Sequence, residues 1–274
     1  MTSVRVMVCQ LPDPADGWAA GWSAVAAAAG RDRPELILLP ELAFCPWLPA
    51  ADRFDPAAWA AAMAEQAGWL ARLPELAPAA VLTTRLAERA GRRANEAVLW
   101  SGGELRALHE KVCLPDEPGY HETAWFAPGA AAPAAVPVGP ARVGVAICSE
   151  LWLFERSRAL GQAGAQLVLT PRATGAGWNE RWLVAGRATA LGSGAFSLSA
   201  NRSGGAGDFG GQGWIINPAG SVLALTSADR PAVTAELDLG EAGDRYPRYV
   251  TAAYDRRAAA APATPGRWAG SGSR

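Results

Sequence analysis

Along this chain, short apolar runs alternate with longer segments whose apolar positions recur at helical spacing. Val4–Gln10 is a β-branched, alternating run and predicts a first strand. Gly17–Gly30 is rich in alanine and ends on a glycine placed to cap a helix. Leu36–Leu39 is a continuous apolar run, the mark of a strand buried on both faces. Pro56–Leu73 predicts a second helix, with Trp59, Met63, Ala67 and Leu70 as its apolar stripe. Three strands follow at Ala80–Arg85, Asn95–Trp100 and Arg106–Val112, then a Pro/Gly-rich loop from Leu114 to Pro140.

The second half repeats the alternation. Arg142–Ile147 reads as a strongly apolar strand ending at Cys148. Phe154–Gly164 and Asn179–Gly192 predict helices; Gln166–Thr170 and Ala195–Ala200 predict strands. Pro218-Ala219-Gly220 lies between Gly213–Asn217 and Ser221–Thr226, a hairpin signal. Val233–Leu237 is the last predicted strand. This order predicts an α/β fold with helices on both sheet faces. From Arg256 the composition turns to Arg, Ala, Pro, Gly and Ser. Residues 1–255 are therefore expected to form the domain, and 256–274 a flexible tail.

Composition narrows the function classes. The 274 residues carry a net charge of −1, which speaks against nucleic acid or an anionic membrane surface as partner. Met1–Gln10 lacks the charged start and apolar core of a signal peptide, and the Ala-rich run Trp18–Gly30 is too short to span a bilayer. Cys9, Cys45, Cys113 and Cys148 make no CxxC pair. A reducing, cytoplasmic setting is expected.

The basic residues are lopsided: of 25 Lys and Arg, one is lysine, Lys111. A lone lysine in an arginine-biased chain suits a position that needs a compact point charge on a thin stem. Cys148 sits at the carboxyl end of a buried strand, where ligands of α/β sheets bind. A buried cysteine taken alone is more often a small hydrophobe. Glu41 follows the strand in LILLPELAF, either as a turn cap or as a site member. Glu122, in GYHETAWFAPG, lies among aromatics, with Asp116 and Glu117 as competing acids.

Taken together, these segments resemble the nitrilase, or carbon–nitrogen hydrolase, superfamily, over roughly Val4 to Val250. The resemblance rests on PELAF, HEKVCLPDE, HETAWFAPG and VGVAICSELWLFE, with NEAVLW and NPAGSVLA in support. It implies a four-layer αββα sandwich, assembly into homodimers or larger homo-oligomers, and Glu41, Lys111, Cys148 and Glu122 as the catalytic set. It implies no cofactor. Cys113 stands where many relatives carry His, and Cys148-Ser149-Glu150 lacks the tryptophan of true nitrilases. That favours a small amide or carbamoyl substrate over a nitrile, with Glu150 as a structural acid. Acyl transfer to an amine, or a silent ligand-binding protein, are the alternatives. With only His109 and His121 present, no metal site is expected. The nucleophile-elbow serine and phosphate-loop motifs are absent. Expected substrate-binding residues are Ser149, Arg172, Tyr120, Trp125, Trp47 and Asn201, with Trp152 and Trp178 as further pocket candidates. Arg172 is set either to hold a substrate carboxylate or to pair with Glu150.

Overall fold

The computed structural model describes residues 2–13, 15–205 and 208–243. The expected tail, 256–274, and the end of the expected domain, 244–255, lie outside the described residues. The first half contains β1 (Ser3–Pro12), α1 (Ala15–Asp32), β2 (Leu36–Leu38), α2 (Pro56–Leu70), β3 (Ala80–Arg89), β4 (Arg92–Ser101) and β5 (Glu104–Glu110). The connecting region holds β6 (Asp116–Glu117), β7 (Tyr120–His121) and α3 (Glu122–Trp125). Then come β8 (Ala135–Val138), β9 (Ala141–Val145), α4 (Phe154–Gln162), β10 (Leu167–Arg172), α5 (Asn179–Ser193) and β11 (Phe196–Gly204). The described chain closes with β12 (Phe209–Gly210), β13 (Trp214–Ile216), β14 (Val222–Leu225) and β15 (Ala232–Asp238).

The strands run in the order β5-β4-β3-β2-β1-β11-β10-β9-β8. β1 is the joint. From Ser3 to Cys9 one of its edges pairs antiparallel with β15. At Gln10–Pro12 the chain pairs instead with β11, in parallel, against Asn201–Ser203. The continuous array thereby folds into two facing sheets. Strand alternation assigns the layers. Val4, Val6 and Val8 join Leu36, Leu38, Leu167 and Leu169 in the central core. Met7 and Cys9, on the opposite face of β1, meet Trp18 and Trp22 of α1. Val168 turns outward to Leu160 of α4. This is the four-layer αββα sandwich, and it explains why β2 reads as an unbroken apolar run. Among the described residues no helix is long and apolar enough to cross a membrane.

Helix α2 departs from its expected stripe. Asp55 caps it, accepting the Ala57 and Ala58 amides, with Pro56 in the first turn. Its buried residues are Trp59, Ala62 and Gln66 rather than Met63, Ala67 and Leu70. The reason is a polar tether: Gln66 donates to the Ala43 carbonyl (3.1 Å) and accepts the Leu86 amide (2.8 Å). The helix ends at Leu70, and Leu73 and Leu76 pack separately beneath α1.

Gly186 on α5 lies against Trp214, and a Cβ there would sit 2.6 Å from the indole ring. Helix propensity alone favours Gly186→Ala by about 1 kcal/mol. Overpacking against the buried ring outweighs that, so the variant is expected to lose about 1–3 kcal/mol of unfolding free energy in urea titrations.

Candidate active site

Three strand ends converge at one edge of the sandwich. β3 is parallel to β2, and β5 returns to the same direction after antiparallel β4. Glu41 after β2 and Lys111 after β5 therefore emerge at the same end of their sheet. Cys148 emerges after β9 of the facing sheet, beside parallel β10. The Glu41 amide bonds the Arg172 carbonyl (3.3 Å) and so stitches the two sheets at this edge.

Lys111 has essentially no exposure. Its Nζ donates to Glu41 Oε1 (2.8 Å) and Glu122 Oε1 (2.6 Å). Burial opposes its charge, but Glu122 and Glu41 outweigh that and hold its pKa well above the ordinary lysine range. Among the described residues these two carboxylates are the hydrogen-bond partners of Nζ. One of its three donors is left for a substrate oxygen. Burial raises Glu122 to about 8, against the pull of Lys111. Glu41 Oε2 and Glu122 Oε2 are buried and carry no hydrogen-bond partner, as befits atoms reserved for a reactant.

Cys148 has φ +47°, a left-handed backbone rare for a residue with a β-carbon. Burial, and secondarily Glu41, push its thiol well above the ordinary cysteine range, with Lys111 opposing. The resting group is a thiol that needs a base. The strained turn is held by Glu150, which is fully buried. Its two oxygens accept the Ile147 amide (2.7 Å), just before the cysteine, and the Val112 amide (2.7 Å), just after the lysine. His109 Nε2 lies 2.9 Å from the same carboxylate, and Arg156 contacts His109. Burial alone would raise Glu150, but these contacts outweigh it and hold it below the ordinary carboxylate range. One carboxylate therefore sets the spacing between Cys148 and Lys111.

Asn95 was not singled out from sequence beyond its place in NEAVLW. Its Nδ2 donates to Glu41 Oε1 (2.7 Å), and its carbonyl accepts the Lys111 amide (2.9 Å). Arg202 donates to the carbonyls of Leu42 and Cys45 and braces the turn that carries Glu41.

A cleft of about 240 Å³ opens above Cys148. Of the expected binding residues, Tyr120 and Ser149 line it, as do Trp152 and Trp178. Glu117, a competing acid in the sequence, joins them, as do Trp182 and Thr174, which carried no distinguishing sequence signal. Trp47, Trp125, Arg172 and Asn201 lie behind the wall. Trp47 donates to the Gly119 carbonyl and packs edge-on to Tyr120; Trp125 donates to the Ala51 carbonyl. Asn201 brackets the Thr174 backbone on both sides, accepting its N–H and donating to its C=O. Among the described residues Arg172 meets neither Glu150 nor any other carboxylate. Its guanidinium bonds Ser199 Oγ, Thr174 Oγ1 and the Gln212 carbonyl beneath the Trp214 ring. Full burial lowers its pKa to about 9. A residue that follows a strand end can turn inward as readily as outward, and here the strand's own neighbours claim it.

Glu122 gives a signed pH prediction. Its folded pKa, about 8, exceeds the unfolded value of about 4.5. The folded state therefore keeps a proton that the unfolded chain releases in that window, and stability falls as pH rises through it. Relative to Glu122→Gln, the wild type is expected to lose more than about 1.4 kcal/mol between pH 5 and pH 8 in denaturant titrations. A pH-independent difference would show Glu122 ionised throughout.

Known proteins place this geometry. The structure superimposes on a carbon–nitrogen hydrolase from Helicobacter pylori G27 with a TM-score of 0.82, at 20% identity, covering 94% of this chain and 97% of that one. A mutant of the amidase from Nesterenkonia sp. AN1, carrying the acetamide moiety of fluoroacetamide on its active-site cysteine, gives a TM-score of 0.73 at 25% identity, covering 93% and 96%. Among curated proteins, a citrullinase from Francisella tularensis is 34% identical over 79 residues, and an N-carbamoylputrescine amidase from Solanum tuberosum 35%. These matches span 29% of this chain and only 28% and 26% of those relatives. The carbon-nitrogen hydrolase family profile matches residues 5–246, nearly the whole described fold. With that extent of match over this sandwich, the chain belongs to the carbon–nitrogen hydrolase family.

Proposed function

We propose that this protein hydrolyses the carbon–nitrogen bond of a small amide or N-carbamoyl amine through an acyl-enzyme on Cys148. The observation that carries the reading is Lys111 held between Glu41 and Glu122 beside a strained, buried cysteine at the floor of a cleft. The adduct in the similar amidase supports it. Glu41 takes the thiol proton as Sγ bonds the carbonyl carbon. Lys111 Nζ and the Ser149 amide stabilise the oxyanion. The tetrahedral adduct expels the nitrogen, which leaves with the proton from Glu41 as ammonia or amine. Water then gives a proton to Glu41 and its hydroxyl to the acyl carbon. Collapse breaks the C–S bond and returns the proton to Sγ. Glu122 fixes Lys111, and its outer oxygen meets the substrate nitrogen.

Intact-mass spectrometry after fluoroacetamide treatment is expected to show one adduct, mapping to Cys148 and lost in Cys148→Ala. Lys111→Arg is expected to fold yet lose at least about a hundredfold in turnover, because a planar fork cannot take the place of a point charge between two carboxylates. Labelling of Cys113 with Cys148 inert, or near-wild-type turnover in Lys111→Arg, would overturn the reading.

The proposal extends to a reducing, cytoplasmic location and to homodimers or larger assemblies. The four cysteines are free thiols. Phe154, Val184 and Leu191, on α4 and α5, are exposed apolar residues that a second copy would cover. Light scattering at micromolar concentration is expected to give a multiple of the 28.5 kDa chain mass; the single-chain mass would count against it.

A further inference from the structure

The outer cleft has a one-sided chemistry. Between Cys148 and solvent stand the rings of Tyr120, Trp152, Trp178 and Trp182 and the carboxylate of Glu117. Among the described residues no Lys, Arg or His side chain lines this cleft. Trp152 and Trp178 are 40% and 53% exposed and form the mouth, whereas Trp182 is buried deeper. Trp152 and Trp182 meet at 63° with ring centroids 5.3 Å apart, which makes an aromatic corner. Glu117 stands opposite Tyr120 in the β6–β7 pair. The carboxylates Glu41 and Glu117 both act on the Tyr120 hydroxyl, whose pKa burial chiefly raises. The arginine nearest in the sequence to a carboxylate-binding role, Arg172, is sequestered behind the wall. At the rim an indole already holds a cation: the Arg181 guanidinium lies 4.4 Å from the Trp178 ring centroid.

We infer that the cleft selects amides or N-carbamoyl compounds whose tail, beyond the scissile carbonyl, bears a cationic ammonium group, and that Glu117 is the residue that sets this preference. The inference rests on the hydrolase reading of Cys148 and specifies its substrate. Indole faces carry negative potential and attract ammonium groups. An exposed carboxylate beside them adds a charge-assisted partner. A carboxylate tail meets the same faces and the same acid with repulsion, and the rim cation, Arg181, is already seated on the Trp178 ring.

The test uses N-carbamoyl derivatives of a linear diamine, an alkylamine and an ω-amino acid of equal length, with propionamide as a tailless control. The diamine derivative is expected to exceed the alkylamine derivative in kcat/KM by about tenfold, mainly through KM, with the amino-acid derivative slowest. Glu117→Gln is expected to bring the diamine-to-alkylamine ratio close to one, and Glu117→Lys to reverse the order of the charged tails. Equal rates for the three tails, or a ratio unmoved by Glu117→Gln, would overturn the inference while propionamide turnover leaves the hydrolase reading standing. If propionamide and all three derivatives are inert, the hydrolase reading fails. Calorimetric titration of the diamine derivative into Cys148→Ala protein then decides the tail preference alone. Binding weakened about tenfold by Glu117→Gln supports it, and equal binding overturns it.

Discussion

The structure around the site depends on a lysine kept charged with no access to water. A bare ammonium in that position would shed its proton. Glu41 and Glu122 prevent this, and each must in turn be held by the protein. Asn95 orients Glu41 and also anchors the Lys111 backbone. The demand for ion pairing therefore reaches from the turn after β2, through β4, to the end of β5 and the start of α3. A buried pair of this kind adds little net stability, whereas removing one partner leaves an uncompensated charge. Its value lies in geometry: a point charge with one donor left, fixed at the same sheet edge as Cys148.

The second constraint is the left-handed backbone at Cys148. Strain of this kind persists only where the surroundings over-determine it. Glu150 supplies that by accepting amides from both sides of the site and by resting on His109 and Arg156. Cys148 and Lys111 are thus spaced by a single carboxylate rather than by two independent loops. The cleft wall is supported in the same manner. Arg172 and Asn201 both grip Thr174, and Trp47 backs Tyr120, so the residues that touch a substrate differ from the residues that hold them still.

The alternation of strands and helices was legible in the sequence because each buried strand must be apolar on both faces of a four-layer sandwich. Val4–Cys9, Leu36–Leu38 and Leu167–Leu169 carry that pattern openly. The placing of Glu41, Lys111 and Cys148 at strand ends was legible too, since charge or thiol there stands out against apolar runs. The stripe of α2 was not. Gln66 occupies a buried position because two backbone groups elsewhere bond to it, and a helical periodicity count contains no information about those partners.

The sequence by itself determined the element order, the solvent-avoiding faces and the residue types able to do the chemistry, because these follow from local spacing and polarity. Tertiary structure alone decided the switch of β1 from β15 to β11, which brings Cys148 over Lys111. It also decided the direction of Arg172, which long-range partners at Ser199 and Gln212 draw into the protein. Those outcomes depend on hydrogen bonds between residues far apart in the chain. A guanidinium at a strand end goes wherever acceptors are dry and aligned, and only the assembled sheets place those acceptors.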